Sequence, residues 1–271
     1  MKNSENKTDI GLKETLINHF DDQTSNLNTH SHLDNYGSKT NDKFLRSPYE
    51  YLEERLINSD IKGKKILDYC CGTAVYSVFP ALSGAIVSGN DISPESISLA
   101  NERSKKMGLS DKCFFDVCDA EDLHYESESF DIAMSLGSLT YLNLDTAFFQ
   151  LHKVLKPKGT LIVIDSLGHN PLFNANRKKN IDNYAFGEYQ HLRSKKINEL
   201  ETSSAPYFDL VEAKFFDLIT TFGFFLKKQF KIEVRSSLLR RMDEVILSNR
   251  FIGKYSFKGF FVFEVKNKKT C

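Results

Sequence analysis

KILDYCCGTAVYS, residues 65–77, and AIVSGND, residues 85–91, decide the fold. The first apolar run ends in Asp68, a short turn forms around Gly72, and a helix-like run follows. Nineteen residues after Gly72 the second apolar run ends in Asp91. This is the layout of a strand, a nucleotide-cradling loop, a helix and a second strand whose terminal carboxylate can grip ribose hydroxyls. One adenosine-containing ligand, lying across the carboxyl ends of a parallel sheet, accounts for both acids.

Working outward, strands are expected at 65–68, 85–91, 113–119, 130–136 and 160–165, and helices at 48–59, 75–82, 94–107 and 144–155. The last helix carries Leu144, Phe148, Leu151 and Leu155 on one face, with Pro157 and Gly159 expected to close it. Such alternation argues for right-handed crossovers and an α/β, doubly wound sheet. Residues 1–45 are polar, with one helical patch near Leu12–Phe20 and a loop-like segment at 23–42, and read as a partly mobile N-terminal arm. The core runs 46–166. Residues 167–256 read as a helical C-terminal lid with a sixth strand near 211–215, and 257–271 as the last strand and tail. The aromatic stretch 215–230 either packs on the core, caps the site or forms a membrane- or partner-binding helix, with Lys227 and Lys228 at its basic end.

Composition excludes several classes. Lys plus Arg and Asp plus Glu both number 36 in 271 residues, without the basic surplus of a duplex nucleic-acid binder. Five cysteines form no repeated C-x-x-C pair and read as reduced thiols, and metal-ligand spacing is lacking. The segment MKNSENKTDIGLKE lacks the apolar core of a signal peptide, and no apolar run reaches the ~20 residues of a bilayer span. A cytoplasmic protein without stable membrane insertion is expected.

The loop departs from the G-x-G-x-x-G dinucleotide fingerprint: Cys70 takes the first Gly position, Gly72 stands, and no third Gly follows. An NAD-dependent oxidoreductase is thereby opposed, and no G-K-[ST] phosphate loop occurs. LDYCCGTA, GNDISPESISLA, DAED, FDIAMSLGSLTYL and VLKPKGTLIVID, in this order across residues 45–166, resemble the successive motifs of class I S-adenosylmethionine-dependent methyltransferases. The small-molecule branch that includes the ubiquinone/menaquinone methyltransferases is the nearest in flavour.

That resemblance implies a Rossmann-like, seven-stranded sheet with an antiparallel last strand at 257–265, and S-adenosyl-L-methionine as cofactor. Asp68 would hold the methionine end, and Gly72 would let the backbone pass beneath it. Asp91 would take both ribose hydroxyls, with Ile92 against the adenine. Asp119 would accept from the adenine amino group, and Ala120 would offer a backbone N–H to the ring. Leu136 and Gly137 would line the methyl-donor pocket. Ala74 replaces the Gly that usually closes the loop, and a methyl there either crowds the ligand or is harmless.

Methyl transfer from a sulfonium is an in-line displacement that mainly needs positioning in a dry pocket. A base helps only hydroxyl or phenol acceptors. His169 and Tyr141 are the candidates, with His191 and Tyr36 as further residues able to face the pocket. The expected function is methyl transfer to a small organic acceptor, apolar or aromatic in character. The alternative is a non-catalytic scaffold of the same fold, motivated by Ala74 and the lack of an obvious base.

Overall fold

The computed structural model describes residues 2–27, 29–175, 193–232 and 234–266. Seven strands form one sheet: β1 (Lys65–Tyr69), β2 (Ile86–Asp91), β3 (Cys113–Val117), β4 (Phe130–Leu136), β5 (Leu155–Ser166), β6 (Phe208–Phe216) and β7 (Lys258–Val265). Their order is β3-β2-β1-β4-β5-β7-β6. The first five run parallel, while β7 is antiparallel to both neighbours, as the resemblance implies for the last strand.

Alternate residues of each strand feed two cores, because side chains of neighbouring residues point to opposite faces. Leu67, Ala133, Leu161, Val163, Phe261 and Phe263 pack on one face with α6 (Leu144–Val154) and α7 (Ile197–Ser204). Ile66, Val87, Met134, Ile162, Ile164 and Phe260 pack on the other with α3 (Ser47–Ile57), α4 (Val78–Leu82) and α5 (Pro94–Lys106). Both faces being covered, the strands read as near-continuous apolar runs.

Several boundaries differ from expectation. Pro157 and Gly159 do not close a helix. The chain passes from α6 straight into β5, and both residues lie in the strand. Pro157 is tolerated because pairing with β4 shifts register between Phe130 and Ile132, where no ladder N–H is required of it. The N-terminal arm is not loop-like over 23–42: α1 spans Lys2–Ser25, α2 spans Thr29–Asp34, and a 3-10 turn covers Gly37–Thr40. After β6 come α8 (Ile219–Phe230), α9 (Ser236–Ile246) and α10 (Arg250–Gly253). Among the described residues no helix is long and apolar enough to cross a membrane. Cys70, Cys71, Cys113 and Cys118 are free thiols.

Candidate active site

The loop after β1 places residues 70, 72 and 74 in the left-handed region, at φ of 58°, 52° and 57°. Only Gly72 adopts that conformation without a Cβ penalty, so Cys70 and Ala74 hold strain of about 1 kcal/mol or more each. The loop stays in place because Asp91, at the end of β2, accepts the Gly72 N–H through Oδ2 at 2.8 Å and the Ser93 N–H through Oδ1 at 3.1 Å. Burial raises the Asp91 carboxyl above its ordinary range, and these N–H bonds pull it back.

A cavity of about 1290 Å³ opens at the carboxyl ends of the parallel strands. Cys70 and Gly72 line it after β1, Asp91 and Ile92 after β2, Asp119 and Ala120 after β3, and Leu136, Gly137 and Ser138 after β4. Gly72 and Gly137 (φ 92°) have no heavy atom within 4 Å of where a Cβ would stand, which leaves ligand space over both backbones. Asp165, buried at the end of β5, accepts the Leu139 N–H at 2.9 Å and so fixes the turn that carries Ser138 and Tyr141.

The N-terminal helix closes one side. Leu12 and Leu16 of α1 are buried and, with Phe20, line the cavity at i, i+4, i+8 spacing; Phe20 meets Tyr141 edge-on at 5.3 Å. Lys13 pairs with Asp119 at 2.6 Å, and Asp21 accepts from Ser93 Oγ and the Glu95 N–H at the start of α5. The opposite wall is Arg193, Lys195 and the α7 residues Asn198, Glu199, Thr202 and Ser203. None of these wall residues, nor Lys13, belongs to the motifs singled out in the sequence. Leu12, Leu16 and Phe20, spaced along one helical face, are the signal that points to α1 as a wall of the cavity.

Several of the residues singled out in the sequence lie away from the cavity lining. Asp68 does not line the cavity: it is buried, and its Oδ2 accepts the Ser77 hydroxyl at 2.5 Å. Burial pushes its carboxyl up to about 6. Its work is to hold the start of α4. His169 is likewise absent from the lining, because its Nε2 accepts the Ile197 N–H at 3.1 Å and caps α7. Tyr36 packs on the core face formed with α3. Ala74 also belongs to that core, 1% exposed, so its methyl neither crowds the cavity nor motivates a degenerate site. The expectation for His191 lies outside the described residues. Of residues 215–230, none lines the cavity, so this stretch does not cap it. Tyr141 does line it.

The His169 cap makes a pH prediction. Burial, then the charges of Lys254 and Lys196, lower this imidazole below its ordinary 6.5. The acceptor nitrogen must be unprotonated, so the cap is complete above about pH 6.5 and is lost as pH falls through the lower folded value. Amide protection at Ile197 should therefore fall steeply below pH 6.5 in the wild type and show no such step in His169→Ala. An identical profile in both proteins removes the cap from the account.

A family model described as "Methyltransferase domain" matches residues 60–204. The sterol 4-C-methyltransferase strm-1 of Caenorhabditis elegans is 32% identical over 135 residues, 49% of this chain and 40% of that protein. The methyltransferase GfsG of Streptomyces halstedii is 29% identical over 191 residues, 64% of this chain and 68% of that protein. The chain thus spans well under half of the first relative's length. The crystal structure of geranyl diphosphate C-methyltransferase from Streptomyces coelicolor A3(2) superposes with a TM-score of 0.60 over 81% of this chain and 79% of that one, at 12% identity. The fold is shared.

Proposed function

We propose that this chain, which belongs to the methyltransferase-domain family, moves a methyl group from S-adenosylmethionine to a small, largely apolar organic acceptor. The observation that carries the reading is the convergence on one cavity of four parallel strand ends, each bringing the group this cofactor needs. Asp91 would accept from the ribose hydroxyls, Ile92 would pack on adenine, and Asp119 with Ala120 would meet the adenine edge. Gly72 and Gly137 leave backbone room for the methionine portion, consistent with the open space above both. When bound, the cofactor supplies an electrophilic methyl on a sulfonium.

What the chain itself contributes is position and dryness. Leu12, Leu16, Phe20, Leu142 and Leu144 give the cavity an apolar side that suits an apolar acceptor and excludes water. Tyr141, on the loop fixed by Asp165, would orient the acceptor. The sterol 4-C-methyltransferase that this chain resembles is named for an apolar acceptor, which supports the same choice here.

Calorimetric titration with S-adenosylhomocysteine, with NAD as control, tests the cofactor. Micromolar binding of the former alone is expected; binding of NAD, or of neither, overturns the reading. A panel of apolar acceptors with labelled cofactor then tests transfer. Cofactor binding without transfer to any acceptor leaves the scaffold alternative in its place.

A further inference from the structure

Helices α8, α9 and α10 contribute nothing to the cavity, yet they present large apolar side chains to solvent. Phe222 is 60% exposed, Val245 75% and Phe251 72%. The inner sides of α8 and α9 are already committed. A Cβ on Gly223 would strike Leu239 and crowd Phe44, Lys227 pairs with Asp42, and the buried Asp243 of α9 accepts the Ile219 and Thr220 N–H groups at the start of α8. On α9 the outward residues Leu238, Met242 and Val245 recur at i, i+4 and i+7, a continuous stripe along the most amphipathic of the described helices. An amphipathic helix ordinarily turns that stripe to a core. Here the stripe faces out.

Charge says what covers it. Residues 219–255 contain eight Lys and Arg against three Asp and Glu; Lys227, Arg240 and Arg250 are paired with Asp42, Glu50 and Glu201, which leaves the exposed Lys228, Lys231, Arg235 and Arg241 on this surface, with Glu244 the exposed acid among its described residues. Arg235 and Arg241, both exposed, flank the α9 stripe, and Lys228 and Lys231 sit at the end of α8 where Phe225 and Phe230 meet edge-on at 6.1 Å. We propose that this surface seats the protein on an anionic lipid bilayer, its apolar side chains entering the headgroup–acyl boundary and its cations meeting lipid phosphates. A second copy is the poorer occupant, since a two-fold contact would set the same cations against one another. Arg250 of α10 pairs with Glu201 of α7, so the docked surface borders the cavity wall. The docking does not depend on the methyl-transfer reading.

Co-sedimentation of the full chain with vesicles tests it, comparing phosphatidylglycerol mixed with phosphatidylcholine against phosphatidylcholine alone. The wild type is expected to sediment with the anionic vesicles only, and less so in high salt. Phe225→Ser with Val245→Ser, and separately Lys228→Glu with Arg241→Glu, should each weaken binding about tenfold or more while leaving circular dichroism and thermal melting unchanged. Failure of the wild type to bind anionic vesicles overturns the proposal. So does unaltered binding by folded variants. A concentration-dependent dimer in sedimentation velocity, abolished by the apolar pair of substitutions and without vesicle binding, assigns the surface to a second copy instead.

Discussion

Arg103→Met is expected to cost about 3 kcal/mol of folding stability, read as a fall of roughly 10 °C in melting temperature. Arg103 is fully buried in α5. Its guanidinium donates to the carbonyls of Thr73 at 2.9 Å, Leu33 at 3.3 Å and Asn35 at 2.6 Å. Those carbonyls belong to the loop after β1 and to the N-terminal arm, so one side chain ties both to α5. Stranding three acceptors costs about 1–3 kcal/mol each, roughly 3–9 in all. Burial of the cation opposes this, pulling its pKa down to about 10, and relief of that penalty returns several kcal/mol. Acceptor loss wins because methionine fills the volume but donates nothing. A melting temperature within about 3 °C of wild type would show that water replaces the guanidinium at little cost.

Asp91→Ala should weaken S-adenosylhomocysteine binding by about 1–3 kcal/mol, roughly five- to 150-fold, in calorimetry. Two losses combine. The ribose hydroxyls would lose their acceptor, and the Gly72 and Ser93 N–H groups lose the one they have in the protein itself. Asp91→Asn keeps one carbonyl oxygen and should fall between wild type and the alanine variant. Equal affinity in all three separates Asp91 from the ligand and leaves it a purely structural support of the loop.

The sheet was legible because each parallel strand carries an apolar run, and four of the five have an acid at or near the end (Asp68, Asp91, Asp119 and Asp165), a signal that is local. What escaped the sequence depends on distant partners. The extent of α1 rests on Lys13 meeting Asp119 and Asp21 meeting α5, contacts some seventy to a hundred residues apart in the chain. Arg103 sits in a run, ERSKK, that has the composition of a solvated helix face, and only the arrival of α2 buries it. His169 has the right chemistry for a base and the wrong partner, since its Nε2 accepts the N–H of Ile197 at the start of α7. Ala74 and Cys70 stand where glycines suit the loop best, and their left-handed angles show that the backbone path is kept even where glycine is not.

The place of β7 between β5 and β6 has a consequence for synthesis. Neither β5 nor β6 has its neighbour on that side until Lys258–Val265 leaves the ribosome. At roughly 5–20 residues per second, β5 waits several seconds with one apolar edge open. Nascent chains of this protein therefore pass through a window in which the half-built sheet can recruit a strand from a neighbouring chain on the same message.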